Sequence, residues 1–389
     1  MRIRKLGIGA ALAGILSSGT ALAAGGVTDT EILLGSTDAT SGPVAATCMA
    51  SIQGRNAYID MVNKAGGING RQIRYIVLDD GYQPQRAVGN VRRLTQQDDV
   101  LAVFGGCGSA TAAAALSVIE KTEVPYLFPY ASFPEMVKPM KKNVFALLPL
   151  YTQQAKAVIP YIVKNLKPKT AAIFTHNIAG GEDLRKADRA ALEAGGVEIV
   201  ADSMFELAQP DRSSIAIEAV AKKPDLVIIN DSSPGAARFL LELQRQGWLP
   251  SYVTGTSTLS DEGFLRAAGD VANNIVFAPG VVLPPTAPES QKCIDALKAY
   301  DSSIQPVHFH MFGCLATSVM VDALTKAGKE LTRERLVSTL EGMSGFKTGV
   351  SGDVSFSADR RMGLDQLYIV NVVNGQFKVL DQVDAPAGE

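Results

Sequence analysis

Two stretches hold the residues best placed to do chemistry: FGGCGSAT at 104–111 and PYASFPE at 129–135. In the first, Gly105, Gly106 and Gly108 let backbone approach a bound group closely, and Ser109 and Thr111 stand where a helix opens. A helix start exposes unpaired N–H groups and a partial positive charge, so the chemistry on offer is the holding of an anion such as a carboxylate. The Ser109 hydroxyl suits a helix cap equally well, and residue types leave the two roles open. Bond-making chemistry is poorly provided for. There is no G-x-S-x-G elbow, FGGCGSAT lacks the spacing of a dinucleotide loop, and no C-x-x-C occurs. Three histidines in 389 residues, His176, His308 and His310, leave little general-base capacity. His308 and His310 are spaced as neighbours on one strand face, but no carboxylate cluster accompanies them to complete a metal site. The expectation is a binding protein with no cofactor, no metal and no catalytic residue.

The elements that must position these residues alternate between strand and helix. Strands are expected at 31–35, 73–78, 101–104 and 126–128, with helices near 48–63, 85–97 and 110–121. The apolar run at 73–78 reads as a strand buried on both faces of a parallel sheet. After a strand at 144–147 the cycle restarts. Helices at 152–165, 182–194, 212–221 and 234–246 alternate with strands at 170–175, 198–204, 226–230, 252–254 and 275–278. Two such series imply an α/β chain of two doubly wound parallel-sheet lobes. Three helices near 289–300, 310–327 and 332–341 follow a proline-rich stretch. The tail is strand-like at 354–356, 366–373 and 376–380, with Asn374-Gly375 as a hairpin turn. Ligands of open α/β sheets bind beyond the carboxyl ends of the strands, which places both stretches above at a cleft. Tyr82, Tyr130, Phe133 and Phe309 fall near the same edge and would give flat walls suited to an aromatic or short-chain carboxylate. Trp248, after a helix ending at Gly247, reads as packing.

Residues 1–23 read as an export leader. Arg2, Arg4 and Lys5 precede a short apolar run at 6–16, and Ala21-Leu22-Ala23 offers a cleavage site, so the mature chain is expected in the periplasm. Removing those three cations from the 37 basic residues leaves 34 against 39 acidic ones, a formal charge of −5. With no basic block, nucleic acid and anionic membrane are not expected partners. Four cysteines allow two disulfides in an exported chain. Cys293 and Cys314 sit on successive expected helices, and Cys48 and Cys107 each follow a first-lobe strand on one sheet edge. Spacing does not fix the pairing.

Ser41-Gly42-Pro43, GGINGR at 66–71, DDGYQP at 79–84, FGGCGSAT, PYASFPE, ALTKAG at 323–328 and FSADRRMG at 356–363 occur in an order that resembles one family. That family is the leucine/isoleucine/valine-type periplasmic binding proteins of ABC importers. The resemblance implies a type I fold whose chain crosses three times between lobes, here near 147, 279 and 346. The first lobe would be 27–147 with 280–345, and the second 148–279 with 346–389. It implies a monomer that closes on a small carboxylate ligand and delivers it to a membrane permease. It places the carboxylate grip at Gly108, Ser109, Ala131 and Ser132, with Tyr82 at the cleft edge. In the second lobe the family's amino acid binders carry a tyrosine-glycine pair after the 170–175 strand, where this chain has His176, Asn177, Ile178, Ala179 and Gly180-Gly181, so the tyrosine place holds Gly180. They also carry an acidic side chain where this chain has Ser257. A buried ammonium without an anion is costly, and Asp231 is the available substitute. Two other readings stand beside this one: a ligand sensor of the same fold, and an exported enzyme.

Overall fold

The computed structural model describes residues 25–206 and 211–385; the expected leader and its cleavage site lie outside them. The first lobe is built on β1 (Glu31–Asp38), β2 (Gln72–Asp79), β3 (Ala102–Phe104), β4 (Tyr126–Leu127) and β5 (Val144–Phe145). These run parallel in the order β2-β1-β3-β4-β5, with α1 (Ala45–Lys64), α2 (Pro84–Gln96) and α3 (Ser109–Ile119) as crossovers. Helix α2 opens with Pro84 in its first turn and buries Ala87, Val91 and Leu94, a one-sided spacing that lays it on the sheet. Strand β2 corrects the reading from its apolar run. It is the edge of the sheet and most of its residues are only half-buried, because it pairs with β1 alone.

The second lobe repeats the pattern. Its strands β6 (Thr170–His176), β7 (Glu198–Phe205), β8 (Leu226–Asn230) and β9 (Tyr252–Thr254) lie in the parallel order β7-β6-β8-β9. Helices α4 (Tyr151–Leu166), α5 (Gly181–Ala194), α6 (Ser213–Lys222), α7 (Ser233–Arg245) and α8 (Glu262–Ala268) flank them. A parallel bridge from Val253 to Val276 leads to β10 (Phe277–Gly280), which pairs antiparallel with β11 (Gln366–Val373) and through it with β12 (Gln376–Asp384). The β11–β12 turn is Asn374-Gly375, both residues with positive φ, as expected.

Helices α9 (Gln291–Tyr300), α10 (His308–Ala327) and α11 (Arg333–Glu341) return to the first lobe. Helix α10 lies backbone to backbone on α1 because both carry glycine at the crossing. A Cβ on Gly54 would stand 2.2 Å from the His310 carbonyl oxygen, and one on Gly313 2.4 Å from that of Ser51. Both cysteine pairs are disulfides: Cys48–Cys107, separated by 59 residues, and Cys293–Cys314, separated by 21. Cys48 sits in the first turn of α1.

The third crossing between lobes lies later than expected. Residues 346–363 pack on the first lobe, where the Phe356 ring stacks on Phe128 at 5.9 Å and meets Phe145 edge-on at 5.2 Å. Arg361 lies over Phe145, pairs with Glu341 and donates to the Lys141 and Lys142 carbonyls, and Gly363 N–H donates to Ala146 O at 2.8 Å. The chain therefore crosses at 364–365. The strand expected at 354–356 is only a bridge between Phe346 and Val354. His308 and His310 are likewise not strand neighbours but occupy the first turn of α10. Among the described residues no helix is long and apolar enough to cross a membrane.

Candidate functional site

Between the lobes, at the carboxyl ends of β1, β3, β6 and β8, lies a cleft enclosing about 60 Å³. Four helix starts reach it: Val44 and Thr47 at α1, Gly108 and Ser109 at α3, Tyr151 at α4, and Ser232 and Ser233 at α7. Tyr82, Cys107, Tyr130, His176, Ile178, Thr258 and Phe309 complete its wall. A larger groove of about 490 Å³, bounded by α8, α9 and the β11–β12 turn, lies away from these strand ends.

The first-lobe wall is set by its turns. Asp80 accepts from Thr37 Oγ1 and Tyr82 N–H, both at 2.8 Å, and burial pushes its carboxyl up to about 6. This holds Tyr82 at a φ of 61° with its ring against Gly108. Gly108 has a φ of 109°, and a Cβ there would stand 2.2 Å from the ring, so only glycine admits the arrangement. The Cys48–Cys107 disulfide ties the start of α1 to the same loop.

Ser109 does not cap its own helix; Gly108 is the N-cap and no side-chain cap bond forms. The Ser109 hydroxyl instead accepts from Ser132 N–H at 3.2 Å. The Ser132 hydroxyl accepts from Tyr151 N–H at 2.6 Å, capping α4 where the chain enters the second lobe. Ser132 and Ala131 are buried behind the cavity wall rather than in it, so of the four residues of the expected carboxylate grip only Gly108 and Ser109 line the cavity.

Behind the wall a polar chain joins the lobes. Tyr130 Oη lies 3.1 Å from Ser257 Oγ and 3.2 Å from His308 Nε2, and His308 Nδ1 lies 3.3 Å from Ser260 Oγ. Ser257 N–H donates to Gln154 Oε1 at 2.8 Å, and His308 N–H donates to Glu262 Oε2 at 2.7 Å. Burial holds His308 neutral, down to about 3, and holds the Tyr130 phenol protonated. Burial, reinforced by neighbouring Asp261, pushes the Glu262 carboxyl up to about 8.

In the second lobe the site departs further from expectation. Asp231, whose side chain is fully buried, accepts from Arg212 Nε at 2.7 Å and from Ser232 N–H at 2.6 Å, so its charge is already matched. His176 Nδ1 lies 3.9 Å from the same carboxylate, yet burial and Arg212 outweigh Asp231 and bring the imidazole down to about 4. Asn177 is exposed and turns away to Glu206 at 2.9 Å, leaving His176 and Ile178 on the wall. Gly180 meets Phe133 across the cleft mouth, where a Cβ would come within 3.1 Å of the Phe133 Cβ. Thr47, Tyr151, Ser232, Ser233 and Thr258 are wall residues that sequence reasoning missed. A signal did exist for Ser232 and Ser233, since both stand at the start of a helix following a strand end. No group of three His, Cys, Asp or Glu side chains that could hold a metal occurs among the described residues. The site can bind a small molecule by helix-start N–H groups, neutral hydroxyls and aromatic faces.

Comparison with known proteins gives a consistent picture. Residues 31–376 match the family described as Periplasmic binding protein. The Leu/Ile/Val-binding protein BraC3 of Rhizobium johnstonii is 26% identical over 329 residues, covering 84% of this chain and 87% of that protein. Among solved structures, the Streptococcus pneumoniae branched-chain amino acid transporter substrate binding protein LivJ, in complex with isoleucine, superposes with a TM-score of 0.81. It is 22% identical and covers 91% of this chain and 100% of its own. The fatty acid ABC transporter substrate-binding protein from Thermomonospora curvata gives a TM-score of 0.83 at 20% identity, covering 93% of this chain and 95% of its own. At these identities the likeness to solved structures concerns the fold.

Proposed function

Since the chain belongs to the periplasmic binding protein family, as its sequence blocks imply, we propose that it captures a small carboxylate between its lobes and delivers it to the permease of an ABC importer. The observation that carries this reading is the convergence of four helix starts, from both lobes, on one cavity. Each start contributes a partial positive charge, and together they favour a negative group over a neutral one. Hydroxyls of Ser109, Ser232 and Ser233 stand on the same wall. The ligand class has to come from this chain's own residues, because proteins of this fold are named for ligands as different as isoleucine and fatty acid.

The mechanism is closure. About 60 Å³ is well below the roughly 300–1,000 Å³ of ordinary ligand pockets, so a ligand needs the lobes to stand further apart than they do here, and capture brings them together around it. Closure adds the Tyr130–Ser257, His308–Ser260 and Glu262–His308 contacts to those the ligand makes. Because ligand and interlobe contacts favour the same closed form, binding shifts the population toward it. The matched family and relatives are binding proteins, which supports a carrier rather than an enzyme.

Thermal unfolding of the mature protein against amino acids, aromatic acids, short dicarboxylates and amides tests the reading. A true ligand stabilises by about 2.7 kcal/mol at a hundred times its Kd. A flat response to every carboxylate would overturn it, and turnover of any compound would favour an enzyme.

A further inference from the structure

We propose that the cleft selects a monocarboxylate with an apolar body and no ammonium group, discriminating against the α-amino acid of the same skeleton. The proposal rests on the carboxylate reading above and adds the nature of the rest of the ligand.

The argument is one of charge. Among the described residues no aspartate, glutamate, lysine or arginine lines the cavity. Of the carboxylates behind the wall, Asp231 is fully buried and engaged by Arg212 through Nε at 2.7 Å and Nη2 at 3.3 Å, with Ser232 N–H on the same oxygen as Nη2. Asp261 borders the adjoining space past Ser233 rather than this cavity, and burial raises its carboxyl to about 6. On the opposite side, Tyr130 is engaged with both Ser257 and His308. His176, the one titratable imidazole on the wall, is neutral and carries no negative charge to offer. An ammonium group drawn into this space would lose its water and meet only neutral acceptors, and a buried cation without an anion is strongly disfavoured. The helix starts that attract the carboxylate would also repel it. An apolar body, by contrast, finds Val44, Ile178, Phe309 and the ring faces of Tyr82 and Tyr130.

Calorimetric titration with matched pairs isolates the ammonium: 4-methylpentanoate against leucine, and 3-phenylpropanoate against phenylalanine. The expected result is that at least one deaminated acid binds and its amino acid counterpart binds at least about a hundredfold more weakly. Equal or tighter binding of the amino acid overturns this proposal while leaving the carboxylate reading intact. Binding of neither member of any pair, with binding of the corresponding neutral amide, overturns both. The variant Ser232→Asp keeps an N-cap that helices accept well and adds a carboxylate on the wall. It is expected to narrow the preference about tenfold or more through a new charge pair. An unchanged preference in a folded variant would overturn the electrostatic cause.

Discussion

The first-lobe wall of the cleft is fixed by a disulfide and by a glycine that alone admits the Tyr82 ring, whereas the second-lobe wall is held by one buried ion pair and a helix start. The first arrangement is covalent and steric. The second is electrostatic: Arg212 and Asp231 cancel each other beside His176 and leave the wall neutral. The difference separates two tasks. On the proposed reading, the first lobe would present the grip and the second lobe would set by its charge which ligands permit closure.

The sharpest way to break this comparison uses two of the buried arginines, one in each lobe. Arg212 pairs with Asp231 in the second lobe, and Arg55 pairs with Asp38 beneath the first-lobe sheet end; all four side chains are at most 2% exposed. Removing one partner strands a buried charge, so Arg212→Met and Arg55→Met are each expected to cost about 3–5 kcal/mol in denaturant unfolding. Only Arg212→Met should also alter the cleft, moving the His176 titration, read by NMR, upward from about 4 as Asp231 loses its counter-ion. An unmoved His176 in that variant would show that the ion pair is purely structural.

Next in size is the disulfide. Replacing Cys48 and Cys107 by serine opens a closure of 59 residues and is expected to lower stability by about 2–4 kcal/mol. Ligand affinity should fall as well, because the starts of α1 and α3 lose their tie. The same exchange at Cys293–Cys314, which joins α9 to α10 away from the cleft, should lower stability and leave affinity unchanged. Equal effects on affinity would erase the distinction between a structural bond and a grip.

Gly108→Ala should cost about 1–3 kcal/mol through its positive φ and drive the Tyr82 ring off its place, seen as weakened binding in titration calorimetry. A further effect is in pH. Glu262 is raised from 4.5 to about 8 by burial in the folded chain. The native state therefore holds a proton that the unfolded state gives up, and this contribution to stability is full below pH 4.5 and is lost as pH rises to about 8. Glu262→Gln should flatten that part of the pH–stability curve, measured by urea unfolding at pH 4.5, 6 and 8.

Most of the fold could be read in the sequence because the strand–helix alternation has a strong period, and helices such as α5 and α7 lie within a residue of their expected bounds. Edge and centre strands, however, share the same apolar composition, so nothing in residues 73–78 told that β2 has one neighbour. The late crossing was hidden because Phe356 finds its partners Phe128 and Phe145 more than two hundred residues away, a contact that no local pattern encodes. At the site, Gly108, Ser109 and Tyr82 were legible from local chemistry, a glycine turn and a helix start. Ser132 and Asp231 were not, since both do their bonding with residues brought in by other elements, Tyr151 and Arg212. Asn177 and His176 are adjacent, and only the pleat of β6 decided which of the two faces the cleft.

The central claim, that the cleft closes on a carboxylate, is tested most directly by calorimetric titration of the mature protein with 4-methylpentanoate and with its amide, which shares the skeleton but carries no charge. Binding of the acid with little or none of the amide is the predicted result. Equal binding of the two, or binding of the amide alone, would contradict it.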